Sequence, residues 1–247
     1  MRWMPLGCAL FLVIPGCRAN EPTEEDYDDV ATAVGALVSN ESGGEVGSMD
    51  DAAAVATGET PSGLTSEGSG SYQGARLGLS YSYQVTCKDV SGNTLESCDG
   101  ATESANLVVD WGGSLDLARY DATIARTGDW TLSGLQSEVA QFDGHGTFDV
   151  ETHFTSLFRD VERSFLLDYD AQYDAVRWNR ITKIPQAGSI TYDVHAVRTK
   201  TRGSRESERE LDVQVIVAFD ESGTADISID RERHYSLELL SGQISKQ

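Results

Sequence analysis

Basic residues are scarce in this chain. Its 247 residues include 19 Lys and Arg against 40 Asp and Glu, which gives a formal net charge of −21. Nucleic-acid affinity depends on basic side chains that neutralise phosphates, so the composition disfavours DNA and RNA as partners. It also disfavours a broad contact between the protein and an anionic leaflet, because clusters of Lys and Arg provide that attraction.

Catalytic motifs are absent as well. The sequence contains no G-x-S-x-G nucleophile motif, no G-x-x-x-x-G-K phosphate loop and no H-E-x-x-H metal motif. It has four histidines, namely His145, His153, His195 and His234. We therefore predict a non-enzymatic protein without a cofactor.

Long hydrophobic runs are missing too. The apolar stretch from Leu6 to Ile14 is shorter than the roughly twenty residues that a membrane-spanning helix needs. With Arg2 before it, this stretch has the length and the charge of a secretory signal. Gly16, a small residue, then comes directly before Cys17.

The residues Ile14-Pro15-Gly16-Cys17 resemble the lipobox of bacterial lipoprotein precursors. The resemblance implies that a signal peptide of residues 1–16 is removed and that Cys17 carries a lipid anchor. The protein would then be exported and anchored to the cell envelope without spanning the membrane. Arg18, where an Asp would signal inner-membrane retention, favours the outer membrane. Cleavage near Ala19 as an ordinary signal peptide and an uncleaved leader are the alternatives.

Cysteines are few, and their positions divide them by role. Cys8 lies in the leader and Cys17 would be blocked by lipid, which leaves Cys87 and Cys98. In an exported protein this remaining pair is predicted to form a disulfide. A hairpin with Cys87 opposite Cys98 also places Val90 opposite Leu95.

Residues 17–71 are predicted to be a lipid-anchored tether with one or two short helices. Acidic residues followed by apolar residues at helical spacing predict an amphipathic helix from Glu24 to Ser39. A second short helix is predicted to start at Ser48 and to end near Gly58. The Gly/Ser-rich segment 66–71 has the composition of a linker.

Residues 72–247 are predicted to form an antiparallel β domain. Apolar and polar residues alternate in stretches that short turns separate, and such short connections require antiparallel pairing. We expect a meander of about ten strands that forms a curved sheet or a barrel-like body, with a two-sheet sandwich as the alternative. The aromatic residues predicted to face the interior are Tyr81, Tyr83, Trp111, Tyr120, Phe148, Phe154, Tyr192 and Phe219.

Basic residues cluster locally around the predicted hairpin tip at Gly203. Arg198, Lys200, Arg202 and Arg205 are candidate contacts for an anionic partner, such as an envelope polymer or the acidic helix near residues 21–29. A solvated loop is the alternative interpretation.

Metal ligands are the other candidates. Asp149, Glu151 and His153 share one face of a predicted strand, with His145 near its start, and such a row offers ligands for a divalent metal. A solvated strand face is the competing interpretation. A later predicted strand carries Asp193 and His195 on one face in the same way. If the two strands were neighbours, their rows of ligands would lie side by side. The acids Asp168, Asp170 and Asp174 have a spacing similar to that of a calcium loop, but Tyr173 occupies its glycine position and the closing glutamate is missing. Acids that face water are the alternative interpretation.

Three functional hypotheses follow from these patterns. The leading one is a non-enzymatic, lipid-anchored binding or surface-interaction module of the cell envelope. The second is a carrier or sensor of a small apolar ligand inside a β-barrel, and the third is a metal-dependent hydrolase.

Overall fold

The computed structural model describes residues 22–39, 44–76, 78–117, 120–155 and 161–247. Within these residues two helices precede twelve strands. The helices are α1 (Glu24–Val38) and α2 (Glu45–Ala56). The strands are β1 (Leu64–Gly68), β2 (Ser71–Arg76), β3 (Leu79–Lys88), β4 (Ser104–Leu117), β5 (Tyr120–Ser133), β6 (Val139–Thr155), β7 (Val161–Asn179), β8 (Ile184–Arg202), β9 (Arg205–Phe219), β10 (Thr224–Ile229), β11 (Arg233–Glu238) and β12 (Ile244–Lys246).

All twelve strands belong to one antiparallel sheet, in which they lie in their order along the chain. The predicted antiparallel meander is therefore confirmed, and the two-sheet sandwich is wrong. The sheet is not closed, since β1 and β12 form its two edges. The strand number is twelve rather than about ten, because β1, β2 and β12 carry little apolar alternation of their own.

The sheet curves around the two helices. Helix α2 contacts β3 and β4, and α1 contacts β10 and β12. Ten neighbouring strands in a flat sheet span about 45 Å, whereas two packed helices are about 20 Å across. The strands from β3 to β12 reach the helices only because the sheet bends, and we call the side that holds the helices the inner face.

Helix α1 is docked on this inner face. Its apolar stripe of Val30, Val34 and Val38 is at most 3% exposed. Gly35 lies so close to Ile244 of β12 that an added Cβ would be 2.3 Å from the Ile244 Cδ1 atom. The helix runs from Glu24 to Val38, close to its predicted bounds, and it is part of the folded body.

Helix α2 begins three residues before its predicted start. It spans Glu45–Ala56, and its buried residues include Val46, Met49 and Ala52. Because Glu45 is itself buried and paired with the sheet, tertiary contacts extend the helix at its N-terminus. The segment with linker composition also differs from its prediction, since residues 64–76 form the β1–β2 hairpin.

Two glycine-containing segments that are typical of turns lie inside long strands. Gly128 is within β5 and Gly144 within β6. A Cβ on Gly128 would be 2.9 Å from the Trp130 ring, and one on Gly144 would be 2.2 Å from the Asp129 carbonyl oxygen. These glycines permit close packing around Trp130 rather than a reversal of the chain.

The disulfide between Cys87 and Cys98 is present, with their Cα atoms 5.4 Å apart. The predicted hairpin register is wrong, because Lys88 lies opposite Thr94. The Asp89 carboxylate accepts hydrogen bonds from the backbone N–H groups of Ser91 and Asn93 at 2.8 and 2.9 Å. This local turn reverses the chain closer to Cys87 than a hairpin with Cys87 opposite Cys98 would.

Candidate functional site

Three strands extend beyond the N-terminus of α1 at one end of the sheet. Residues 161–166 of β7, 197–202 of β8 and 205–210 of β9 pair with one another, whereas the pairing of β10 with β9 stops at Val215. We call these three segments the overhang. Their inner face continues past the helices, so solvent reaches it.

Charge in the overhang is divided by face. Side chains of a strand point to alternate faces, and the inner positions follow from the buried Leu167, Ala196 and Leu211. All basic residues of the overhang occupy inner positions, namely Arg163, Arg198, Lys200, Arg202, Arg205 and Arg209. All its acidic residues occupy outer positions, namely Glu162, Glu206, Glu208 and Glu210.

Helix α1 covers the part of this basic surface that lies nearest the helices. Arg209 Nη1 lies 3.0 Å from Asp26 Oδ1, and Arg198 Nη1 lies 3.0 Å from Asp29 Oδ2. One predicted partner of the basic cluster, the acidic helix near residues 21–29, is therefore bound to Arg198. The helix supplies carboxylates to two of the six inner basic residues.

The other part of the basic surface, toward the strand ends, remains open, and we call it the open half. Arg163, Lys200, Arg202 and Arg205 are exposed. Within the described residues, none of these four side chains has an ion pair or a hydrogen bond with a carboxylate. Lys200, Arg202 and Arg205 were predicted from their closeness in sequence. Arg163 was not predicted, and it joins the group because β7 pairs Arg163 with Lys200.

An apolar slot separates α1 from the overhang. Its walls include Pro22, Val30, Phe165, Ala196 and Leu211, and Arg198 and Arg209 lie at its edge. The space open to water-sized molecules is about 40 Å³. The slot is therefore too small for an organic ligand unless α1 moves away from the sheet.

Two further acids of α1, Glu24 and Asp28, bind β11 and β12. Lys246 Nζ lies 3.0 Å from Glu24 Oε2 and 2.9 Å from Asp28 Oδ1, and Arg233 lies 3.5 Å above the ring of Tyr27. The hydrogen bond from Lys246 holds the pKa of Glu24 below its ordinary value. Helix α1 is thus clamped to the sheet by charge at its N-terminus and by apolar contacts along its length.

A buried ion pair fixes α2 to the middle of the sheet. Arg126 and Glu45 are in direct contact, with side chains 3% and 1% exposed. Arg126 Nη1 also donates to Ser48 Oγ at 2.8 Å. Tyr169 donates to Glu45 Oε1 at 3.0 Å, and the Tyr173 hydroxyl donates to Glu45 Oε2.

Aromatic rings surround this pair. The Arg126 guanidinium lies 5.4 Å from the Trp111 ring centroid and 5.5 Å from that of Trp130. Burial alone would lower the pKa of Arg126, but the charge of Glu45 and the interactions with Tyr173 and Tyr169 together outweigh it and raise that pKa. Burial and Glu45 both raise the pKa of Tyr173. Arg126 therefore stays charged and Tyr173 keeps its hydroxyl proton, so we assign the cluster a structural role.

This cluster was not predicted from the sequence, although the sequence contains a signal for it. Alternation from Tyr120 through Ala122 and Ile124 places Arg126 on the inner face. The inward prediction is correct for Tyr83, Trp111, Phe148, Tyr192 and Phe219, which are buried. Tyr81 packs against the same core and stacks on Trp111 at 5.4 Å. The side chains of Tyr120 and Phe154 lie outside the described residues.

The predicted metal row lies on the outer face of β6. Cross-strand pairing places Asp149 next to Asp168 of β7, and not next to β8. His153 Nε2 is 3.1 Å from Glu151 Oε1. Neither these residues nor His145 belong to a group of three candidate ligand atoms in the described part of the chain.

A different group on the outer face does bring three candidate ligands together. His195 Nδ1 lies 2.7 Å from Asp212 Oδ1 and 3.9 Å from Glu210 Oε1. The hydrogen bond with Asp212 raises the pKa of His195, and the nearby Asp168 adds to this effect. Glu210 and Asp212 are exposed and His195 is half-buried, so the arrangement is that of a surface histidine hydrogen-bonded to a neighbouring acid.

Comparisons with known proteins give no family. Protein-family models, characterised proteins and solved structures each yielded no match to this chain. The chemistry of the overhang and the sequence of the leader are therefore the indications of function.

Proposed function

We propose that this protein is a non-enzymatic, lipid-anchored module of the cell envelope that binds an anionic partner through the inner face of the overhang. Cys17 carries the anchor, and the outer membrane is its more favoured location. The leader and Cys17 lie outside the described residues, so the anchor rests on the lipobox-like sequence. No helix in the described part of the chain is long and apolar enough to cross a bilayer.

The observation that carries the binding proposal is the open half of the basic surface. Arg163, Lys200, Arg202 and Arg205 point to one side of the sheet, on a chain whose net charge is −21. Four positive charges close together on an otherwise acidic protein produce a local positive field that attracts anions. The contact between α1 and Arg198 provides an intramolecular example, because an acidic segment binds the same surface.

A titration with inorganic polyphosphate tests the binding proposal. The variant Lys200→Gln/Arg202→Gln/Arg205→Gln removes three charges from the overhang. The variant Lys88→Gln/Arg177→Gln/Lys183→Gln removes three charges from the opposite end of the sheet and serves as the control. Three exposed contacts of about 0.5 kcal/mol each correspond to roughly a tenfold loss of affinity.

We expect that loss in the overhang variant and not in the control. Equal affinities of the two variants would contradict the binding proposal. The anchor is tested separately by mass analysis of the N-terminal peptide from native envelopes, which should begin at an acylated Cys17. An unmodified peptide that begins before Cys17 would contradict the anchor.

The apolar slot supports a second candidate function, a carrier or sensor of a small apolar ligand. Phe165, Ala196 and Leu211 present an apolar surface under α1. In this function α1 would leave the sheet and the ligand would take its place. Mass spectrometry of a lipid extract from the purified protein tests the idea, and a reproducible bound species is the expected result. An extract without any bound species, from protein purified without detergent, would contradict it.

A further inference from the structure

The overhang lies beside the point where the chain leaves the folded body toward Cys17. Pro22 lines the apolar slot together with Arg198 and Arg209, so it sits at the base of the overhang. Cys17 comes five positions before Pro22, and even a fully extended chain spans no more than about 18 Å over five residue steps. A lipid on Cys17 therefore keeps the membrane surface within about this distance of Pro22.

The basic tip extends over a comparable distance. From Arg198 to Arg202, β8 advances about 13 Å. The tip carries Lys200, Arg202 and Arg205 on its inner face, and β7 adds Arg163 beside Lys200. The short tether and the length of the strands thus bring the open basic surface to the level of the lipid headgroups.

We propose that the inner face of the overhang binds the acidic phospholipid headgroups of the leaflet that carries the anchor. The inference rests on the proposed function and names its anionic partner. Juxtamembrane Lys and Arg residues are attracted to acidic lipids in this way. The anchor holds the basic residues next to the leaflet, so each contact can be weak and still be occupied.

The outer face determines how the protein approaches the membrane. Glu206, Glu208 and Glu210 project from the outer side of the same strands, and Asp168 and Asp212 continue the acidic surface toward the middle of the sheet. An acidic leaflet repels this side. The protein consequently stands on the membrane through its overhang, with the inner face of the tip turned toward the headgroups and the helices above it.

A vesicle-binding experiment tests this assignment. The chain from residue 17 onward contains every described element, and Cys17→Ser leaves it without an acyl chain. Its partition is measured by sedimentation with vesicles of phosphatidylcholine alone or with added phosphatidylglycerol. We expect binding only to the vesicles with phosphatidylglycerol. Each neutralised residue should weaken it about fivefold, so the triple overhang variant loses on the order of 100-fold.

The control variant at Lys88, Arg177 and Lys183 should retain this partition. A second measurement uses the acylated protein in the same two kinds of vesicle and follows hydrogen exchange of the backbone amides in residues 198–209. Exchange should be slower on the acidic vesicles and should become equal on both when the three overhang charges are removed. This readout detects the contact even where the unanchored chain binds too weakly to sediment.

Two results separate the lipid assignment from the proposed function. Equal exchange on neutral and acidic vesicles, together with a retained polyphosphate response, overturns the lipid assignment and points to a soluble envelope polymer as the partner. Loss of both responses removes the proposed binding function as well. Equal losses in the overhang and control variants would show that net charge, and not this surface, governs the binding.

Discussion

The buried pair of Glu45 and Arg126 offers the sharpest test of how the helices are held. Arg126→Met keeps most of the side-chain volume and removes the guanidinium. Glu45 would then remain buried with only the hydroxyls of Tyr169 and Tyr173 to stabilise its charge. Breaking a buried ion pair by removing one partner costs about 3–5 kcal/mol. That is a large fraction of the roughly 5–15 kcal/mol by which a folded domain is stable.

Urea unfolding followed by tryptophan fluorescence measures this loss. Trp111 and Trp130 flank Arg126, so their emission reports on the region directly. The double variant Glu45→Gln/Arg126→Met removes both charges and leaves an amide oxygen for the tyrosines. We expect it to be more stable than Arg126→Met alone, because no unpaired charge stays buried.

A loss below about 1 kcal/mol for Arg126→Met would refute the reasoning, since it would place the variant with ordinary surface substitutions. A double variant less stable than the single one would refute it too. If Arg126→Met does not fold, Tyr169→Phe, which removes the hydrogen bond that Tyr169 donates to Glu45, provides a milder test. It removes one hydrogen bond to a charged group and should cost about 1.5–3 kcal/mol.

Three further predictions concern the disulfide and two titrating groups. Replacing Cys87 and Cys98 by Ala should lower stability by about 3 kcal/mol in the chain-entropy model, and a urea midpoint that does not change on reduction of the native protein would contradict this. Burial raises the pKa of Asp26, but hydrogen bonds from its neighbours outweigh it and hold the pKa below 3.8. The folded state therefore gains stability from Asp26 above that value and loses it as the pH falls through the lowered pKa. In Asp26→Asn the urea midpoint should depend less on acid pH, and the same acid sensitivity as in the native protein would contradict the assignment. His195 has the opposite sign, because its bond with Asp212 raises its pKa above 6.5. Its contribution, about 0.2–1 kcal/mol for an exposed pair, is complete below pH 6.5 and is lost as the pH rises through the raised pKa; an NMR titration should show that pKa falling in Asp212→Asn.

The fold was largely predictable because strand alternation is a local property. The period of two from Leu79 to Cys87 and from Leu211 to Phe219 predicts β3 and β9 directly. Short turns at Gly203 and Gly223 then require consecutive antiparallel pairs, which is the meander. The edge strands were not predictable in the same way, because β1 and β12 have one hydrophobic anchor each and owe their pairing to their neighbours.

The candidate site depends on distances between strands, and sequence alone does not give these. Arg198, Lys200, Arg202 and Arg205 are close in sequence, so the local pattern identified them. Arg163 is added by the register of β7 against β8. The partnership of Glu45 with Arg126 joins residues 81 positions apart, and it follows from the docking of α2, which no periodicity in either segment specifies.

The central claim is that the open basic surface of the overhang binds anions. The most direct test is the polyphosphate affinity of the protein across a range of salt concentrations. We predict a steep loss of affinity with added salt, because contacts between exposed charges are screened, and a clearly shallower dependence in the Lys200→Gln/Arg202→Gln/Arg205→Gln variant. The same salt dependence in that variant, with unchanged affinity, would contradict the account.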